Sequence, residues 1–249
     1  MSVLEALAIV GVGLVAGTIN TIVGSGSLIT FPTLLAFGFT PIVANVSNTV
    51  GLAPGSLSGA VAYRRELAGQ RPRLLVLGTA SITGGITGAV LLLALPGSVF
   101  RHVVPALILV ACVLVALQPR LSRRVAEREK PAGHGGAPLF LAVFATGVYG
   151  GYFGAAQGVI LLSLLGIFLD DHLQRLNAAK NVLALCANGV SALVFIAATH
   201  IAWEAAILIA AGSIVGGQVG GVLGRRFPAP LLRVVIIVVG VTAAIVLLV

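Results

Sequence analysis

Two long apolar runs of the sequence are interrupted by glycine and by neutral hydrogen-bonding residues. The first interruption is Gly24-Ser25-Gly26-Ser27, and the second is Gly154-Ala155-Ala156-Gln157-Gly158. An anion inside a bilayer needs hydrogen-bond donors, because a bare charge is very costly where water is excluded. Hydroxyls, amides and the free N–H groups at the starts of helices supply such donors. The predicted anion-binding residues are Asn20, Thr21, Gly24, Ser25, Gly26, Ser27, Gly154, Gln157 and Gly158.

Three further polar residues lie in the apolar runs that follow the interruptions. Asn48 and Asn181 occupy matching positions, and Lys180 directly precedes Asn181. Amides are uncommon inside membrane helices without a reason, so the two asparagines either line the anion site or join helices to each other. Lys180 either attracts the anion or extends to the membrane interface. The hydroxyls at the first interruption either bind the anion or bond to their own helix.

The sequence contains no pattern of catalytic or metal-ligating residues. Its four histidines lie near predicted helix ends, so none is placed to activate a serine within a run. The spacing of His, Cys, Asp and Glu fits no metal site. We therefore expect neither an enzyme nor a bound cofactor. All seven acidic residues fall in loops or at helix ends, which favours anion export driven by the membrane potential over proton coupling through a carboxylate.

The composition indicates an integral membrane protein. Of the 249 residues, 58% are hydrophobic and 9% are charged, whereas soluble domains carry about 25% charged residues. Apolar runs of the kind that span bilayers lie at about 3–23, 28–39, 41–62, 73–95, 100–118, 138–169, 177–199, 203–224 and 231–249. The net charge of +8 comes from basic clusters between these runs, which is typical of cytoplasmic loops. We therefore expect the lipid bilayer, and no nucleic acid, as a partner.

The chain repeats itself at an offset of about 130 residues. Residues 81–91 match residues 213–223, and Asn48 aligns with Asn181 at nearly the same offset. The agreement extends in order over four hydrophobic elements, which indicates a duplication. The predicted units are a first repeat at 1–118, a basic cytoplasmic linker at 119–137 and a second repeat at 138–249.

Each repeat begins with a run that is too long for one crossing. Residues 3–39 as a single helix would measure about 55 Å, against a hydrocarbon core of about 30 Å. The run is either an overlong tilted helix or a V that turns at mid-depth. With two V-shaped elements, 14 of the 15 Lys and Arg residues share one side, whereas with two crossing elements they divide nine to six. The positive-inside rule favours the V.

The V-shaped elements determine the predicted architecture. Each repeat has one broken V-shaped helical element plus three spanning helices, so the fold is an all-α polytopic membrane protein with about eight transmembrane elements. Three crossings per repeat would invert the second repeat relative to the first, with both termini facing outward. Inverted repeats with broken helices are a recurring transporter architecture whose site lies near the midplane.

The motifs at and after the interruptions resemble the sulfite exporter TauE/SafE family, over essentially the whole chain. They lie at residues 17–34, 44–60, 150–159 and 176–183. The resemblance implies a membrane permease for small sulfur-containing anions. We therefore expect a cell-membrane transporter that exports sulfite or an organosulfonate by alternating access. A passive anion channel is the alternative, and a homodimer is left open.

Overall fold

The computed structural model describes residues 2–126, 135–223 and 229–248. These residues form ten α-helices and no strand, which confirms the all-helical prediction. The first five helices are α1 (Val3–Ile22), α2 (Ser27–Ala36), α3 (Pro41–Ala62), α4 (Arg71–Ala94) and α5 (Gly97–Ala126). The other five are α6 (Gly136–Tyr152), α7 (Gln157–Phe168), α8 (Leu173–Ala198), α9 (Trp203–Leu223) and α10 (Ala229–Leu248). By length and composition, α1, α4, α5, α8 and α9 could each cross a membrane.

The two helix breaks lie at the interruptions in the sequence, between α1 and α2 and between α6 and α7. Gly24 has a φ of +87° and Gly154 a φ of +78°, a left-handed backbone that glycine adopts without steric penalty. Ala156 also has a positive φ of 57°, which costs a residue with a Cβ about 1–2 kcal/mol. Glycine thus accounts for both breaks, and the second also holds one alanine in a strained conformation.

After the first break the chain folds back on α1. A Cβ at Gly26 would lie 2.5 Å from the carbonyl oxygen of Ala16, whereas ten residues of straight helix would separate these residues by about 15 Å. A single overlong helix is therefore excluded for residues 3–39. The two limbs are unequal, with 20 residues in α1 and 10 in α2. Thr21 packs against Gly59 near the end of α3. The turn between α1 and α2 therefore lies level with the last part of α3 and not with its middle.

Helix α1, the first limb, packs against α9, and α3 packs against α9 as well. A Cβ at Gly13 would meet Ile209, and one at Gly17 would lie 2.5 Å from the carbonyl oxygen of Ser213, so α1 and α9 run in the same direction. Gly55 on α3 packs against the same serine. Small residues allow membrane helices this close approach.

Helices α4, α6 and α8 form an equivalent group, in which α6 and α8 pack against α4. Gly147 packs against Ser81 and Gly151 against Gly85, so α6 and α4 also run in parallel. Gly85 packs against Ala187 of α8 as well. The contacts of α4 with α6 and α8 thus repeat those of α9 with α1 and α3. This agreement is what a duplication of the chain would produce.

The loop between α3 and α4 lies beside the start of α8. Arg175 Nη1 donates to the carbonyl oxygen of Ala68 at 3.0 Å, and Gln70 Nε2 donates to the carbonyl oxygen of Arg175 at 3.1 Å. Helix α8 therefore begins at the end of the bundle where α3 ends. Helix α5 continues to Ala126, so the first part of the predicted linker is helical, while residues 127–134 lie outside the described residues.

Candidate functional site

The two helix breaks touch each other. The backbone N–H of Gly158 donates to the carbonyl oxygen of Gly24 at 3.0 Å. A Cβ at Gly24 would lie 2.3 Å from the Cα of Gly158, and a Cβ at Gly158 would lie 2.4 Å from the Cα of Gly24. These distances are too short for any side chain, so both positions require glycine. The two breaks are therefore in direct backbone contact.

A small polar cavity lies at this contact. Its volume is about 10 Å³, about the least room that one water molecule needs. The lining residues are Asn20, Ser27, Thr49, Leu52, Phe153, Gly154, Gln157, Gly158, Ala184 and Asn188. Five of them belong to the predicted site, namely Asn20, Ser27, Gly154, Gln157 and Gly158. None of the lining residues is charged, so an anion here would be held by neutral groups.

On the first break, side chains of α3 position the cavity residues. Asn20 Nδ2 donates to Ser56 Oγ at 3.2 Å. Ser27 Oγ accepts from Asn48 Nδ2 at 3.1 Å, and Asn48 Oδ1 accepts from Thr30 Oγ1. Asn48 is buried and lies outside the cavity lining. Its amide joins α2 to α3 and holds the Ser27 hydroxyl at the cavity.

Gln157, on the second break, has a buried amide without a partner. Its side chain is 2% exposed, and neither Oε1 nor Nε2 has a hydrogen-bond partner among the described residues. The amide packs over Gly150, where a Cβ would lie 2.3 Å from Nε2. The Ser25 hydroxyl is likewise buried and unpartnered within the described part of the chain. An unsatisfied buried polar group costs about 1–3 kcal/mol, so each calls for an explanation such as a ligand.

The backbone N–H groups at the start of α7 are less free to bind an anion than the sequence predicts. Gly158 N–H donates to Gly24, Gln157 N–H donates to the carbonyl oxygen of Gly154 at 3.2 Å, and Val159 N–H donates to that of Ala156 at 3.0 Å. The expected free N–H groups of this half-helix are thus engaged within the protein. In this conformation the donors available at the second break come from the Gln157 side chain.

Lys180 lies outside the cavity lining and caps the end of α1. Its side chain is fully buried, and Nζ donates to the carbonyl oxygens of Asn20 at 3.1 Å and Thr21 at 3.0 Å. The Nδ2 atoms of Asn177 and Asn181 each lie 3.4 Å from the same Thr21 oxygen. These carbonyls form the negative end of the α1 dipole. Lys180, Asn181 and Thr21 therefore support the first break and do not line the cavity.

Asn45 forms the corresponding contact at the end of α6. Its Nδ2 donates to the carbonyl oxygen of Tyr152 at 3.0 Å. Helix α3 thus supports the second break, as α8 supports the first. Neither Asn45 nor the cavity residue Asn188 is among the site residues predicted from the sequence. Helical spacing could have found both, because Asn45 lies one turn before Asn48 and Asn188 lies two turns after Asn181.

An ion-pair network joins α4 to the start of α8, away from the cavity. Arg73 of α4 and Arg175 of α8 both bind Asp171, at 2.6 Å and 2.8 Å. Burial of the Asp171 carboxyl favours its neutral form, but the hydrogen bonds from Arg73 and the His172 backbone N–H, together with the positive charges of Arg73 and Arg175, outweigh burial and hold the pKa of Asp171 below its usual value. The carboxylate therefore stays charged at neutral pH. Within the described ranges no three His, Cys, Asp or Glu side chains group as a metal site would require.

Comparison with known proteins gives one consistent result. A model of the sulfite exporter TauE/SafE family matches residues 9–247. The chain is 28% identical to the "Probable membrane transporter protein YfcA" of Escherichia coli K12, over 92% of this chain and 84% of that protein. It is 27% identical to a "Probable membrane transporter protein" of Haemophilus influenzae, over 91% of this chain and 88% of that protein. No solved structure matches at a comparable level of significance.

Proposed function

Because the chain belongs to the sulfite exporter TauE/SafE family, we propose that it exports a small anion, sulfite or an organosulfonate, across the cell membrane. The contact between Gly158 and Gly24 carries this proposal. It brings together two helix breaks that lie 130 residues apart in the chain, around a cavity lined by hydroxyl and amide groups. Irregular backbone at membrane depth is tolerated only where protein or a water-filled cavity satisfies it.

The closed cavity favours a carrier over a passive channel. A volume of about 10 Å³ does not admit a sulfur oxyanion, so the protein must change shape to load and release one. The repeated contacts of α9 and α4 supply two similar units that could move relative to each other. We propose alternating access by movement of these two units, each of which contains helices of both repeats, with the cavity as the closed form of the site.

The helix directions support an inverted repeat. Helices α1 and α3 run parallel to α9, while α6 and α8 run parallel to α4. Since α8 begins where α3 ends, the two broken elements enter the bundle from opposite ends. The positive-inside rule then assigns the end that carries Arg65 and Arg175 to the cytoplasm.

Cysteine labelling should place both termini outside. In a background with both native cysteines replaced by alanine, a cysteine at Ser2 or Ser98 should react with a membrane-impermeant maleimide on intact cells. A cysteine at Arg65 should react only after the membrane is opened, because the loop between α3 and α4 lies at the basic end. A C-terminal reporter found in the cytoplasm would contradict the inverted repeat.

Transport by the purified protein should be saturable and should show counterflow. Proteoliposomes loaded with labelled sulfite should release it faster when unlabelled sulfite is outside, and an inside-negative potential should increase the release. The potential supplies about 2.3 kcal/mol per charge per 100 mV. Every acidic side chain in the described ranges lies in a loop or the first turn of a helix, so the potential is a better candidate for the driving force than proton coupling through a carboxylate. Release that neither saturates nor responds to outside sulfite would indicate the channel, and no release above empty liposomes would refute the function.

A further inference from the structure

Resting on the proposed function, we infer that the site selects a singly charged anion that carries a hydrogen-bond donor beside its oxyanion group, and that Gln157 recognises that donor. The inference starts from the amide of Gln157, which is buried, lines the cavity and lacks a partner at both of its polar atoms. Such an amide requires two different partners at once.

The amide of Gln157 determines what the ligand must offer. Nε2 can only donate and Oε1 can only accept, so a ligand that satisfies both must present an acceptor oxygen and a donor hydrogen. Exchanging the two atoms does not alter this requirement, because neither has a partner in the described structure. A ligand with oxygen acceptors alone would leave Oε1 unsatisfied, and its negative charge would face that oxygen.

Two further lining residues supply one partner of each kind. Ser27 Oγ accepts from Asn48, so its own hydrogen is available to donate. Thr49 Oγ1 donates back to the carbonyl oxygen of Asn45 at 3.0 Å and offers the ligand an acceptor. The site therefore combines donors for an oxyanion with acceptors for a neighbouring O–H or N–H group.

The charge of the surroundings limits the charge of the ligand. No lining residue is charged, and the ammonium of Lys180 is directed to the carbonyls at the end of α1. The cost of moving an ion into a low-dielectric site rises with the square of its charge, so a dianion costs roughly four times as much as a monoanion. Neutral donors can offset one charge far more readily than two.

Three sulfonates test the need for a donor on the ligand and the need for a single negative charge one at a time. Isethionate and ethanesulfonate are both monoanions and differ by one hydroxyl, while sulfoacetate is a dianion. By calorimetry on the purified protein, isethionate should bind at least about tenfold more tightly than ethanesulfonate, the effect expected for one buried hydrogen bond. Sulfoacetate should bind more weakly than isethionate.

Substitution of Gln157 should remove the discrimination. Gln157→Met keeps the size of the side chain but loses both polar atoms, so isethionate and ethanesulfonate should bind within about twofold of each other, since no buried amide is left to satisfy. Gln218→Met is the matched control, because Gln218 is exposed, bonds to Ser58 and lies outside the cavity. This control should discriminate as the parent does.

The outcomes distinguish the inference from the proposed function. Binding of none of the three sulfonates, together with no sulfite transport, would refute the function itself. If the parent binds sulfonates but does not distinguish isethionate from ethanesulfonate, or prefers sulfoacetate, the inference fails while the function stands. The comparison in the parent decides the question even if Gln157→Met does not fold.

Discussion

Replacing Gly158 with alanine is expected to reduce anion transport at least about tenfold. The added Cβ would lie 2.4 Å from the Cα of Gly24, so the two breaks must separate and their shared hydrogen bond must lengthen. Overpacking of this kind costs about 1–3 kcal/mol. Sulfite efflux from proteoliposomes and the melting temperature of the purified protein would measure the two effects.

The matched control for this substitution is Gly11→Ala. Gly11 also lies within a helix, but a Cβ there would meet no atom within 4 Å. We expect this variant to transport and melt like the parent. If Gly158→Ala did the same, contact between the two breaks would not be needed for transport.

Removing the charge of Lys180 is expected to lower both stability and transport. Lys180→Met removes the Nζ donor from the carbonyl oxygens of Asn20 and Thr21. The Thr21 oxygen keeps its long contacts with Asn177 and Asn181, whereas an unsatisfied buried carbonyl at Asn20 costs about 1–3 kcal/mol. The positive potential near the anion path is also lost, and a charge within several ångströms of an anion is worth a few kcal/mol. Transport at matched expression should fall on the order of tenfold or more.

A series of variants separates the two roles of Lys180. Lys180→Gln retains a donor but no charge, so it should melt closer to the parent than Lys180→Met while anion affinity still falls. Arg175→Gln should weaken transport less than Lys180→Gln, because Arg175 binds Asp171 and Ala68 away from the cavity. Arg65→Gln removes an exposed charge and serves as the control. If Lys180→Gln transported like the parent, its charge would have no role in the anion path.

The helix breaks could be predicted from the sequence because their cause is local. Glycine-rich segments such as Gly24–Ser27 disfavour continuous helix wherever they occur, and run lengths and basic residues suffice to argue for the V shape. The cavity residues on the breaks themselves, such as Gln157, were found for the same reason. The predicted duplication rests on the spacing of matching residues in the same way.

The supporting contacts could not be predicted because they depend on how distant segments dock. Lys180 bonds to Thr21 across 159 residues, and Asn45 bonds to Tyr152 across 107. No local pattern reveals that an amine inside α8 caps the end of α1. Likewise, whether the N–H of Gly158 at the start of α7 is free to bind an anion depends on Gly24, which lies far away in the chain.

The network around Asp171 makes the two ends of the bundle unequal. Gln70, whose repeat counterpart is Ala202, belongs to a junction where one carboxylate is shared by two guanidinium groups. At the opposite end, the Ala202 backbone N–H donates to Ser47 Oγ at 2.9 Å, a neutral bond. The charged junction joins α4 to the start of α8, inside the group of α4, α6 and α8, and the neutral bond joins α3 to the start of α9, inside the group of α1, α3 and α9. The two groups are therefore stabilised differently, one by shared charge at the basic end and the other by a neutral bond at the opposite end.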